Sequence, residues 1–344
     1  GAQNMNVNSN TIMGVASTSD CSSTMSGIQV GYSISGGNIS SNIISNIKQT
    51  NTQGWGSNGI FLAASTPASN LNVYNNAIYD VAGYGFAATS SIDNGYGIMV
   101  QSGGGYNIRF NSVRLTTDQT DTLATTGAIN ISGNMSPANT IEVRNNIFAG
   151  TQTKGNRYAI YSSAPNTAFS TINHNDYYST GVLGYMGTSL ATIAAWQAAT
   201  GQDVNSVAVN PLFTSNTNLS LQVGSPVMSA GTTIAGITTD ITGFTRSTPP
   251  TIGSYEYKVV HVAAQIFLQG AYSAGLSRHK DVTASWATVL NTNALNHPYN
   301  TAAFGNYAGT ESVNAGFFVS TGGGTDVIDW VLLELRDATT PSTI

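Results

Sequence analysis

The side chains able to do acid–base or ionic chemistry are sparse in this chain of 344 residues, which has 11 Lys and Arg, 16 Asp and Glu and 4 His. Up to residue 180 the acids are Asp20, Asp80, Asp93, Asp118, Asp121, Glu142 and Asp176. Hydrolysis of a glycosidic bond needs two carboxylates flanking it, one as acid and one as base or nucleophile. These acids form no Asp-Asp pair, so hydrolysis of this type is not expected. Elimination from a uronate needs a basic group for the C5 proton and a cation to offset the carboxylate. Arg109, Arg144, Lys154, Arg157 and His174 are the candidates. Arg109 and Arg144 each follow an aliphatic residue in the same local frame, and Tyr74 holds that position earlier. A Tyr-Arg-Arg stripe could bind a glycan by stacking and hydrogen bonding. The plainer alternative is an ordinary solvated ladder of Arg beside Tyr and Glu142.

A second column is Gln29, Phe61, Met99, Asn130 and Tyr161, each set between apolar residues. Its large members, Phe61, Met99 and Tyr161, fit a sugar platform, a docking surface, or a face covered by the insertions 82–96 and 116–126. The loop with Asp118 and Asp121 is a weak calcium candidate, since two carboxylates in a loop more often serve solvation. No other cofactor is expected. His261, His279 and His297 lack partners at metal-ligand spacing. No phosphate loop, dinucleotide fingerprint or nucleophile elbow occurs.

The elements that must carry these residues are repeats. The pattern apolar-x-x-Asn-x-apolar recurs with Asn10, Asn42, Asn76, Asn111, Asn146 and Asn175, at steps of 32, 34, 35, 35 and 29 residues. Steps of this size mark a solenoid or a related repeat architecture. Between them run Gly27-Ile-Gln-Val30, Gly59-Ile-Phe-Leu62, Gly97-Ile-Met-Val100, Ala128-Ile-Asn-Ile131 and Ala159-Ile-Tyr-Ser162. Each repeat therefore holds at least two short strands of alternating character, divided by Gly, Ser and Asn turns. Coils that stack in parallel place Ile28, Ile60, Ile98, Ile129 and Ile160 in one buried column. Val7, Ile39, Val73, Ile108, Val143 and Ile172 fall in another. The asparagines then form a ladder at a turn, each amide donating to one neighbour and accepting from the other.

These phrases resemble the right-handed parallel β-helix superfamily, which includes pectate lyases, polygalacturonase-like hydrolases and many surface proteins. The resemblance covers residues 1–257 and implies an all-β solenoid; for function it leaves lyase, hydrolase and non-enzyme open. After residue 180 the pattern changes. Residues 189–201 predict a short helix with Thr188 or Ser189 as N-cap, Gly201 at its end and Leu190, Ile193 and Trp196 on one face. Trp196 reads as a packing residue, with sugar stacking as the alternative. Asn210-Pro-Leu-Phe213, the Gly-Ser-Pro stretch at 224–226 and Ile252-Gly-Ser-Tyr-Glu-Tyr257 resemble the closing segment of bacterial β-helices. Such a segment is expected to cover the last coil and remove its exposed edge. Residues 258–344 predict a smaller, truncated β-rich, sandwich-like module with strands near 259–268 and 329–336. Its phrases Phe267-Leu-Gln-Gly-Ala-Tyr272 and Asp329-Trp-Val-Leu-Leu-Glu-Leu-Arg-Asp337 resemble a module of Bacteroidota surface proteins exported by the type IX pathway, which implies that machinery as a partner.

Bulk properties narrow the classes further. A net charge of −5 with no basic face argues against a large nucleic-acid footprint. With 41% hydrophobic and 8% charged residues the chain does not have the composition of a disordered one. Cys21 is the only cysteine, which excludes an internal disulfide. No apolar run approaches the roughly 20 residues of a membrane span. The chain opens inside a repeat, as a processed or trimmed piece would. The expectation is a segment of a Gram-negative extracellular or cell-surface protein that binds a glycan or another surface without catalysis. A uronate lyase and a structural spacer are the alternatives.

Overall fold

The computed structural model describes residues 2–19, 24–52, 55–65, 68–84, 94–119 and 122–257, with two short strands beyond. The chain divides into units Gly1–Val259 and Val260–Ile344. The first is a parallel β-solenoid whose coils pass through three sheets in turn. Sheet A stacks β1 (Ala2–Asn8), β4 (Ile34–Ser40), β7 (Leu71–Tyr74), β10 (Tyr106–Arg109), β13 (Ile141–Arg144) and β16 (Phe169–Asn173). Sheet B stacks β2 (Thr11–Ser17), β5 (Ile43–Gln49), β8 (Ala77–Gly83), β11 (Ser112–Leu115), β14 (Ile147–Gly150) and β17 (Asp176–Ser179). Sheet C stacks β3 (Met25–Tyr32), β6 (Ser57–Ala64), β9 (Gly95–Ser102), β12 (Thr125–Ile131), β15 (Asn156–Ser162) and β18 (Val182–Met186), with β19 (Ser189–Leu190) antiparallel at its end.

Both aliphatic columns form in the expected register. Ile28, Ile60, Ile98, Ile129 and Ile160 are successive partners across sheet C. Val7, Ile39, Val73, Ile108, Val143 and Ile172 are successive partners across sheet A. All but the half-buried Val7 lie in the core. Each such side chain contributes about 1.5–3 kcal/mol when fully buried, so the columns are a main source of stability.

The corner between sheets A and B is built alike in every coil. Ser9, Ser41, Asn75, Phe110, Asn145 and His174, the residues before the ladder asparagines, all have φ between 52° and 59°. A left-handed residue other than glycine costs about 1 kcal/mol, and the bonds of the next residue offset it. Asn42, Asn76, Asn111 and Asn146 each donate through Nδ2 to the next ladder oxygen at 2.9–3.0 Å. The same nitrogens reach the carbonyls of Val7, Ile39, Val73 and Ile108. Asn175 ends the ladder, its backbone N–H donating to the Ser206 hydroxyl at 2.7 Å.

The helix starts later than its sequence suggests. It is α1 (Ile193–Thr200), with the Thr192 hydroxyl accepting from the Ala195 N–H and Gly201 closing it at φ 67°. Thr188 and Ser189 are not its cap, because Ser189 and Leu190 pair with β18 instead. Trp196 is fully buried against Tyr177 and donates to Asp203 at 2.6 Å, so it is a packing residue and no sugar platform.

The closing segment also differs from expectation. The last coil is covered by α1 and a bridge from Asp176 to Val207. The chain then runs back along the outer face of sheet B, where Phe213, Leu219, Val227 and Ile252 pack on Ala77, Ile147 and Ala149. Polar pins hold it at the corner: Asn145 pairs with Thr232, and Asn75 with both Thr239 and Arg246. The strap covers outward apolar residues of sheet B, with the half-buried Ile43, Tyr79 and Tyr178 packing against the same cluster.

Of the second unit, only the antiparallel pair Tyr272–Ser273 (β20) and Arg278–His279 (β21) is described. The strands expected at 259–268 and 329–336 lie outside the described residues. No helix among the described residues is long and apolar enough to cross a membrane.

Candidate functional site

The outer face of sheet A carries the most organised polar surface among the described residues. Tyr74, Arg109 and Arg144 are direct register partners on β7, β10 and β13, as their shared frame predicts. All three are half-buried. Arg109 grips Glu142 with two bonds, Nε to Oε1 at 2.8 Å and Nη2 to Oε2 at 2.5 Å. Arg144 Nε donates to the same Oε1. Burial alone would raise the Glu142 carboxyl, but the bonds from Arg109 and Arg144 outweigh it and hold the carboxyl below its usual range. Two guanidiniums on one carboxylate leave the trio a single net positive charge.

Beside this stripe runs a second amide ladder. Asn38 donates to Asn6, Asn72 to Asn38 and Asn107 to Asn72, at 2.9, 3.0 and 3.1 Å. Its next register position is Glu142. The sequence frame missed this ladder, although its signal was present: each member stands one residue before the inward aliphatic at 7, 39, 73 or 108.

At the corner, His174 follows Asn173, whose Oδ1 accepts the N–H groups of His174 and Asn205. Partial burial, together with the neighbouring Arg144 charge, pushes the imidazole below its ordinary value and favours the neutral ring. Tyr74 sits at the opposite margin, packed on Phe110, Ile234 and Ile237. The strap therefore forms a wall along one side of the stripe.

The remaining lyase candidates are not part of this face. Lys154 and Arg157 lie past the far end of β14, whose four residues span about 13 Å of extended chain. Arg157 donates to the carbonyls of Thr153, Gly155 and Thr180. Asp118 accepts from the Thr153 N–H and hydroxyl and from the Lys154 N–H, tying neighbouring coils together. Slight burial would raise its carboxyl, yet these bonds hold it low. Asp121, the other half of the calcium candidate, lies outside the described residues, as do Asp20 and Asp93. Among the described residues no three His, Cys, Asp or Glu side chains converge as a metal site.

The column on sheet C has the expected register, Gln29–Phe61–Met99–Asn130–Tyr161. It is not a continuous open platform, because β9 and β12 are buried on both faces. Met99 and Asn130 are fully covered, while Phe61 and Tyr161 remain half-exposed. Tyr161 stacks on Tyr185 with centroids 4.4 Å apart and planes 4° from parallel, and Tyr158 meets both edge-on. That stack takes one face of Tyr161, leaving less of its ring for a sugar. Compared with protein-family models, curated proteins and solved structures, the chain matches none of them.

Proposed function

We propose that this solenoid is a non-catalytic recognition segment of a secreted or cell-surface protein, binding a glycan along the outer face of sheet A. The observation that carries the reading is lateral organisation. Asn6, Asn38, Asn72 and Asn107 are bonded in series, and Arg109, Glu142 and Arg144 are clamped beside them with Tyr74. Side chains already fixed by their neighbours lose little rotamer entropy on binding, typically 0.5–1.5 kcal/mol each when they start free. Amides, guanidiniums and a tyrosine suit the hydroxyl groups and ring faces of sugars.

Against a uronate lyase weighs the dispersal of its bases, since Arg109 and Arg144 share Glu142 while Lys154 and Arg157 sit beyond β14. As part of the same reading we place the chain with the pectate-lyase-like β-helices, and residues 259–344 with Bacteroidota surface modules exported by the type IX route, in a Gram-negative host. Calorimetric titration with neutral and uronate polysaccharides tests the binding proposal. Saturable binding without release of unsaturated, ultraviolet-absorbing products supports it. Product release would replace it with the lyase, and silence against every glycan would favour a spacer.

A further inference from the structure

Sheet C ends in an aromatic step. β18 turns back into β19 through Gly187, at φ 71°, with the Met186 N–H donating to Thr188 O at 3.0 Å. This hairpin makes Ser189 the direct register partner of Tyr185, which is itself the partner of Tyr161. Register partners project from the same face, so Tyr161, Tyr185 and Ser189 follow one another at the strand spacing of about 4.8 Å. The first step is filled ring to ring, with centroids 4.4 Å apart and planes 4° from parallel. The second step is not filled. Ser189 is exposed and its side chain is far shorter than a ring, while Tyr185 is half-buried. The face of Tyr185 turned toward β19 therefore borders a slot one ring thick, where a third aromatic side chain would have continued the stack.

The floor of the slot is polar. The Tyr158 hydroxyl lies 3.2 Å from the Ser189 hydroxyl, and the Tyr158 ring meets Tyr161 and Tyr185 edge-on at 5.2 and 6.1 Å. Tyr158 is buried, so it braces both stacked rings from the side and fixes Tyr185 before any ligand arrives. Three tyrosines and a serine offer no carboxylate, ammonium or guanidinium, which favours a neutral ligand. The face of an aromatic ring is electron-rich and attracts the C–H groups of a saturated ring. The two hydroxyls at its edge can both donate and accept, as the hydroxyls on the rim of that ring do. A pyranose with equatorial hydroxyls combines a flat C–H face with such a rim. An aromatic side chain of a peptide would fill the thickness and bring the two hydroxyls no partner.

We infer that Tyr185 is a stacking subsite for a neutral pyranose with equatorial hydroxyls, a glucosyl or xylosyl unit, seated over Ser189 with its rim toward the Ser189 and Tyr158 hydroxyls. The subsite lies on sheet C and does not depend on the sheet A stripe.

Titration of the intact chain with cellohexaose should shift the Leu190 backbone amide resonance, beside Ser189 in β19, in a saturable way. Sorbitol, which has the hydroxyls without the ring, should leave it in place. Ser189→Tyr puts a third ring in the slot and should weaken the titration at Leu190 about tenfold with no fall in melting temperature. Tyr185→Ala should weaken it comparably by removing the platform. A Leu190 amide unmoved by cellohexaose, an equal response to sorbitol, or an undiminished titration in Ser189→Tyr overturns the subsite. A shift caused by N-acetyltyrosine amide and not by cellohexaose would overturn it too, in favour of a peptide. Cellohexaose binding that is lost in Tyr74→Ala while Leu190 never moves would remove this subsite and keep the sheet A stripe. A Leu190 titration unchanged in Tyr74→Ala supports the subsite whatever becomes of sheet A.

Discussion

The backbone N–H of Asn42 and its side-chain Nδ2 both donate to one atom, the Oδ1 of Asn76, at 3.1 and 2.9 Å. Asn76 in turn donates to Ile39 O and Asn111 Oδ1, with no solvent exposure. Asn76→Ala strips partners from two donors and two acceptors in the buried corner and should cost about 3 kcal/mol in denaturant unfolding. Asn38→Ala removes a member of the outer ladder, where water replaces the lost bonds, and should cost about 0.5 kcal/mol. Equal losses in the two variants would contradict the division into a buried and a wet ladder.

Glu142 makes a prediction with a definite pH sign. Its folded value is depressed, because the bonds from Arg109 and Arg144 outweigh the burial that would raise it. Its contribution is therefore complete above the unfolded glutamate value of about 4.3, and is lost as pH falls through the folded one. Glu142→Gln should cost about 2 kcal/mol at neutral pH, the worth of hydrogen bonds to charged groups. The gap between the two proteins should close on acidification. Urea unfolding across acid pH measures it, and a gap that stays constant would show that the carboxylate charge is not what matters.

Asp176 should behave in the opposite sense. Burial raises its carboxyl well above the ordinary range, with the Val209 N–H as an opposing contact. Oδ1 accepts that N–H at 3.0 Å and Oδ2 has no partner among the described residues. A raised folded value means stability that is fully present below the unfolded value and lost as pH rises through the folded one. Asp176→Asn keeps an acceptor for Val209 without the ionisation penalty. It should be the more stable protein at neutral pH and lose that advantage in acid. An advantage independent of pH would rule out a buried neutral acid.

Gly59 has no room for a methyl. A Cβ there would strike Ile78 Cγ2 of sheet B and come 2.5 Å from the Gly97 carbonyl oxygen of the next coil. Gly59→Ala should therefore cost about 2 kcal/mol through overpacking. Ala128 and Ala159 hold the same frame position and are fully buried, so Ala128→Gly should also destabilise, by leaving a void. Thermal unfolding of both variants decides it, and a neutral Gly59→Ala would mean the coils can part at no cost.

The sequence frame captured what every coil must repeat. Ile60 and Asn76 stand in a column because stacking imposes one demand on each turn, and a demand made five or six times shows through variation. The outer ladder was less legible: Asn38 and Asn72 face solvent, where Glu142 and Thr171 can replace them without loss of the fold. The helix start moved because pairing of Ser189 and Leu190 with β18 overrides local propensity. The path of the strap depends on contacts such as Arg246 to Asn75, 171 residues apart, for which no local periodicity exists. Met99 carried a strand pattern that says which way a side chain points, but not what covers it.

Tyr74 is where the binding proposal is most exposed to test. Its ring rests on Phe110, Ile234 and Ile237 yet stays half-exposed, so its removal should trim the surface and leave the buried ladder intact. Tyr74→Ala should weaken binding of the best polysaccharide ligand by about tenfold, corresponding to 1.4 kcal/mol. Arg144→Ala should weaken it as well, and more strongly at low salt if the ligand is anionic. Lys154→Ala, past the far end of β14, should bind as the unaltered chain does. If Lys154→Ala alone reduced binding, the site would belong at the β14–β15 loop and sheet A would be structural.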